Sequence, residues 1–270
     1  MNNFQIPILM YHEVTTEDKL EQVCNKTQRT FVLTLSQFEA QMKWLAKAGY
    51  STISLYDVVN IIQNENSVQL QNKPIIITFD DGYEGNYLYA LPILKQFGFT
   101  AVFFIVVNRI GTPYMMDWWQ LKQLVSSGMS IQSHTMTHPL LGKLDRDGVA
   151  YELKESKQEL QNKLQIGVDF VSLPYGSYNE FYKDIAIEAG YQGGCSSKIG
   201  LFDSFCDRYL INRITLNSKY SLDEFKQIAE GRTDYIRKVI SKRKFRDIVR
   251  KIMGEEFYVK LHLYIYGIEE

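Results

Sequence analysis

The stretch PIIITFDDGYEGN, residues 74–86, decides how the rest of the chain is read. Its first six residues form a near-continuous apolar run, the pattern of a strand covered on both faces. Two adjacent carboxylates, Asp80 and Asp81, follow directly. Neighbouring carboxylates repel, and the end of a buried strand is a costly place for charge. Taken alone, the stretch reads as a strand ending in an Asp-Gly turn with one aspartate solvated. The segments on either side give the pair a purpose.

Working outward, strand and helix patterns alternate. PILMY, TAVFFIVV, MSIQSH, DFVSLP and YQGGCSS read as strands, with RITL as one more. SQFEAQMKWLAKAG reads as a helix with a capping box at Ser36 and Glu39, stopped by Gly49. Helices are also expected from about Asn86 to Phe97, interrupted by Pro92, and over DWWQLKQLVSSG, VAYELKESKQELQNKLQIG, NEFYKDIAIEAG and SLDEFKQIAEG, the last boxed by Ser221 and Glu224. Repeated units of this kind imply an α/β protein with a parallel sheet, barrel or doubly wound. In both, functional residues gather at the carboxyl ends of the strands. One domain over residues 1–231 is expected, followed by a helical tail over 232–270.

Composition narrows the function. The 270 residues are 45% hydrophobic and 23% charged, with a net charge of −1. That balance is ordinary for a soluble globular protein and argues against a nucleic-acid partner. Cys24, Cys195 and Cys206 make neither a disulfide framework nor a zinc-type spacing. The first residues lack a charged n-region, and AVFFIVV is far too short to span a bilayer, so a cytoplasmic location is expected.

Three polar clusters sit where strands end: Asp80–Asp81 after PIIITF, His134 and His138 in SHTMTHP after MSIQS, and PYGSYN after DFVSL. Parallel strands would bring all three to one rim. Two neutral imidazoles and one carboxylate suit a divalent transition metal, with zinc expected first and cobalt or nickel as alternatives. The cation would stabilise one ionised aspartate and leave the other free as a base; spacing alone does not say which.

With these motifs the chain resembles the polysaccharide deacetylase family, carbohydrate esterase family four, and within it the branch acting on poly-N-acetylglucosamine. TFDDG resembles the family's first motif, SHTMTHP its second and PYG part of its third, in the family's order and over residues 6–231. The resemblance implies a distorted (β/α) barrel of about seven parallel strands. It implies a metal-dependent hydrolase removing an N-acetyl group from an amino sugar, in a polysaccharide or a lipid-linked precursor. Asp80 would be the general base, and Asp81, His134 and His138 the metal ligands. The backbone amide of Tyr175, next to Gly176, would hold the oxyanion.

Two departures stand out. Where the family carries an arginine supporting its catalytic aspartate, this chain has Ser172, and Arg213 in NRITL is the expected substitute. The family's late Leu-x-His motif is unclear: His262 in LHLYIYG is one candidate for the general acid. His12 in LMYHEV is preferred, because some members carry an N-terminal histidine in that role and because it closes an apolar strand. Trp118 or Trp119 could wall a sugar face, with one of the two expected in the core. The segment 237–251 carries eight Lys or Arg and one Asp, a net of +7 in a chain whose total is −1. It reads either as a helix lying on an anionic membrane, at the inner face, or as a solvated helix packed by its apolar stripe. The rival readings are a deformylase of a lipid-linked sugar, a carbohydrate-binding relative without turnover, and a non-haem iron oxygenase, which usually has a β-rich fold instead.

Overall fold

A computed structural model describes residues 5–20, 29–63, 70 and 73–242. Seven parallel strands close on themselves: β1 (Ile8–Tyr11), β2 (Pro74–Phe79), β3 (Val102–Ile105), β4 (Ser130–Ser133), β5 (Phe170–Ser172), β6 (Gly193–Ile199) and β7 (Ile211–Thr215). Each pairs with the next in the chain, and β7 pairs back onto β1, with Ile214 opposite Leu9, to complete the barrel. The expected (β/α) barrel is therefore the fold.

Alternation along the strands divides the core in two. Ile8, Ile76, Val102, Phe104, Phe170, Cys195 and Ile211 form one apolar cluster with Leu55, Val58, Val59 and Ile61 of a helix, Leu55–Ile62. Four of these strand residues open their strands, so this helix plugs the amino-terminal end. The intervening residues Tyr11, Phe79 and Phe103 stack in sequence, with Phe38 of the helix Leu35–Lys47 set edge-on to Tyr11. With one end plugged, the carboxyl ends of the strands are left for a site.

The helices differ in detail from the sequence expectation. The first begins at Thr34, which makes a capping box with Gln37, two residues before the expected Ser36 and Glu39. The segment after Asn86 opens with a wide turn of π-helical spacing, Asn86–Ala90, before the helix Leu91–Phe97, so Pro92 sits at a helix start instead of interrupting one. The box at Ser221 and Glu224 forms as expected. Neither tryptophan of the pair enters the core: Trp118 is half-buried, and Trp119 is exposed against Tyr87.

Residues 5–231 belong to one compact unit and residues 232–242 to another. Residues 233–242 are helical. Cys24, His262 and the basic segment beyond residue 242 lie outside the described residues. No helix among the described residues is long and apolar enough to cross a membrane.

Candidate active site

Asp80 and His134 are each one residue past a strand and still on the ladder. Asp80 N–H donates to Tyr11 O (3.0 Å), and His134 N–H to Ile105 O (2.8 Å). The chain then turns sharply. Asp81 and Gly82 both take positive φ, 73° and 89°, which swings the second carboxylate back over the strand ends. Gly82 also needs its missing side chain, because a Cβ there would lie 3.2 Å from Ile105 Cδ1. Thr135 and His138 likewise sit in the left-handed region, at 68° and 66°.

These turns bring Asp81, His134 and His138 together, one ligand-type atom from each lying within 4.8 Å of the others. His138 Nε2 is 3.2 Å from Asp81 Oδ1, and His134 Nε2 is 3.7 Å from the same oxygen and 3.9 Å from Asp80 Oδ2. The second nitrogen of His134, Nδ1, lies 2.8 Å from Ser172 O. A carbonyl only accepts, so Nδ1 carries a proton, and Nε2 is the nitrogen turned toward the two carboxylates. Burial, and then the neighbouring His134, push the His138 imidazolium below its ordinary pKa. The donor set therefore fits a divalent transition metal held by Asp81, His134 and His138. Arg109 reaches the same Asp81 oxygen from the rim at 3.5 Å and is half-exposed.

Asp80 sits in a different environment. Arg213, wholly buried, grips it with two bonds, Nη1 to Oδ1 at 2.7 Å and Nη2 to Oδ2 at 2.8 Å. Its guanidinium also donates to Thr78 Oγ1, Ser172 Oγ and Ser196 O, and lies over the Phe104 ring. The Ser172 hydroxyl in turn donates to Asp80 Oδ2. A serine thus stands where the family's arginine would be, and the cation arrives from β7. Burial alone would raise the Asp80 carboxyl, but the Arg213 charge and hydrogen bonds override it and hold the group well below the usual carboxylate range. Asp80 is ionised at any working pH.

The remaining expected residues border this centre. His12 Nδ1 is buried without a hydrogen-bond partner, and its ring packs on Phe31. Burial lowers its pKa, while the charges of Asp81 and Asp80 raise it. Tyr175 takes a positive φ of 58° in the turn Pro174–Gly176, and its exposed ring lies edge-on to His138, 4.9 Å between centres. Gly176 N–H and Ser177 N–H donate back to Leu173 O and Pro174 O, which leaves the Tyr175 amide outside the turn's own bonding. Gly176 itself packs against Ser197, 3.1 Å from where a Cβ would stand. Trp118 starts the helix Trp118–Ser126 on the same side of the barrel as the Asp81 turn, since Met116 N–H donates to Gly82 O.

Three site residues escaped the motif reading. Arg109 follows the third strand. Asn86 is wholly buried and donates Nδ2 to His12 O. Glu152, on the helix Arg146–Leu164, accepts bonds from the segment between the two histidines. A signal existed for Glu152: it shares a helix face with the apolar Val149, Leu153 and Leu160, an unusual place for a carboxylate.

A parallel barrel with acid and imidazole side chains convergent at its carboxyl rim places them where such barrels carry enzyme active sites. The polysaccharide deacetylase family model matches residues 67–194. The family protein YxkH of Bacillus subtilis (strain 168) is 30% identical over 221 residues, covering 82% of this chain and 75% of that one. The chain belongs to the polysaccharide deacetylase family. The poly-beta-1,6-N-acetyl-D-glucosamine N-deacetylase of Staphylococcus aureus (strain MSSA476) is 24% identical over 77% of this chain and 78% of its own. Among solved structures, the Streptococcus pyogenes deacetylase PplD in complex with acetate superposes with a TM-score of 0.76 at 26% identity, over 84% of this chain and 99% of that one.

Proposed function

We propose that the protein is a metal-dependent carbohydrate N-deacetylase that removes acetyl groups from amino sugars of a polysaccharide. One observation carries the reading: ligand-type atoms of Asp81, His134 and His138 converge within 4.8 Å of one another beside a second carboxylate, Asp80, that no ligand role requires. Family membership and the relatives acting on N-acetylglucosamine polymers support the substrate class.

A divalent cation held by Asp81, His134 and His138 would supply Lewis acidity, acidifying water and polarising the acyl oxygen. Asp80, kept ionised by Arg213, takes the proton of the attacking water. Arg213 limits its basicity but fixes both carboxylate oxygens in direction, so the acceptor needs no reorganisation. The Tyr175 amide donates to the oxyanion that develops on the tetrahedral carbon. An amine departs poorly unless protonated, and His12 delivers that proton. Bond for bond, water adds its hydroxyl to the acyl carbon, the C–N bond breaks, and acetate and a free amino sugar result.

The test is acetate release from poly-N-acetylglucosamine by purified protein, before and after chelation, with zinc, cobalt or nickel restored. Wild type should lose turnover on chelation and regain it with metal. Asp81→Ala should lose both metal and turnover. Asp80→Asn should bind metal and fall by at least a hundredfold, the scale of a positioned general base. Metal-independent turnover, or an active Asp80→Asn, would sink the proposal. Formate release, or activity confined to lipid-linked sugars, would redirect the substrate without touching the site.

A further inference from the structure

The five-residue span from His134 to His138 is too short for regular structure, and two of its non-glycine residues, Thr135 and His138, hold left-handed backbone. Such a segment stays in place only when its surroundings over-determine it. Val107 N–H and Asn108 N–H donate to Thr135 O and Met136 O, and three further bonds come from one side chain. Glu152 is buried and turns its carboxylate onto the span: Oε2 accepts from Met136 N (2.8 Å) and Thr137 N (2.9 Å), and Oε1 from Thr137 Oγ1 (2.6 Å). One helical turn further on, Ser156 Oγ meets Ser133 Oγ at 2.7 Å, and Ser133 Oγ accepts from Thr135 N. His138 N–H then donates to Thr135 Oγ1. Helix Arg146–Leu164 thus bonds Met136 and Thr137 directly and Ser133, just before the span, through Ser156.

We propose that Glu152 is a positioning residue for the two histidine ligands, setting the approach of His138 to the cation through the backbone of Met136 and Thr137. The inference rests on the metal site proposed above. A carboxylate suits the role because one oxygen can take two converging N–H groups while the other takes a hydroxyl. Burial without a lysine or arginine partner is a cost that packing alone would not impose, since an apolar side chain would fill the same face. The site recovers that cost as ligand geometry.

The test measures cobalt and zinc affinity of the full chain by chelator competition, with the cobalt absorption spectrum as a second readout and the melting temperature of the metal-free protein as a third. Wild type should bind one ion. Glu152→Ala should bind it about tenfold to a hundredfold more weakly, the usual loss when a group orienting a ligand is removed, with an altered cobalt spectrum. Glu152→Gln keeps an oxygen for the two N–H groups and an amide for the threonine hydroxyl, so it should recover most of the affinity. Should Glu152→Ala fail to fold, Thr137→Val, which loses only the hydroxyl bond, should bind the ion more weakly than wild type, by less than about tenfold. Affinity and spectrum unchanged in folded variants, with only the metal-free melting temperature lowered, would overturn the inference and leave the metal site standing. No metal binding by wild type would overturn both.

Discussion

At the scale of single residues, the site is built from charges that the surroundings treat unequally. Asp80 is driven to stay ionised by Arg213, while Glu13, 4% exposed at the start of the strand Glu13–Thr15, is driven the other way. Burial first, and the Asp81 charge second, raise its carboxyl to about 7, and its Oε2 has no partner. The neutral acid is thus the form the fold prefers. A carboxyl raised on folding contributes stability that is fully present below its unfolded pKa, about 4.3, and lost as pH rises through about 7. Stability against thermal unfolding should therefore fall between about pH 4.3 and 7, by up to about 1.4 kcal/mol per pH unit, and Glu13→Gln should flatten that slope. A variant as steep as wild type would remove Glu13 as its source. Residues of this kind mark where sequence reading stops. Asp80, Asp81, His134 and His138 were legible because reactive types recur at short spacing after apolar runs. Glu13 and Glu152 were not, because what distinguishes a buried glutamate from a solvated one is the packing around it, which no local pattern records.

At the scale of elements, the seven barrel strands and most helices were readable in order, the plugging helix Leu55–Ile62 and the strand pair Glu13–Thr15 and Val32–Thr34 were not, and the other misreadings fell at element starts. Thr34–Gln37 and Ser36–Glu39 both satisfy the spacing of a capping box. The chain uses the first because Val32–Thr34 already runs as a strand beside Glu13–Thr15, so the helix begins where that pairing ends. The turn at Asn86 was missed for a similar reason: its shape is imposed by what it docks against. Gly85 lies on that docking surface with an ordinary helical φ of −57°, so its need for glycine is steric. A Cβ there would stand 2.0 Å from Val14 O, while the next residue, Asn86, holds His12 O at 2.9 Å. Gly85→Ala should push the turn off the Glu13–Thr15 strand and shift His12 with it, at about 1–3 kcal/mol, the range for overpacking a core. Deacetylation should drop more than metal affinity does, because the ligands come from other elements. Equal loss of both would mean the turn supports the whole rim instead of His12.

At the scale of the whole molecule, the barrel closes around a polar knot as much as around an apolar core. Arg213 on β7 bonds Thr78 and the adjoining Asp80 at the end of β2, Ser172 on β5 and Ser196 on β6. It sits on the same face as Ile211, two residues earlier, whose side chain belongs to the apolar cluster above the plugging helix. Each strand was legible from its own residues, but closure was not, because it depends on pairing between β7 and β1, some 200 residues apart along the chain. The knot makes closure cooperative. An apolar replacement of both partners could hold the barrel as well, since a buried ion pair is weak support for stability in itself. Removing one partner is different, because the other is left as an unpaired charge in a dry interior. Arg213→Ala should destabilise the metal-free protein by about 3–5 kcal/mol, read from urea unfolding with unchanged slope. Arg213→Met combined with Asp80→Asn should cost clearly less, although catalysis is gone in both. The ordering matters more than the size: a double variant weaker than Arg213→Ala would show that the pair contributes net stability to the barrel, and that its catalytic alignment of Asp80 comes at no structural expense.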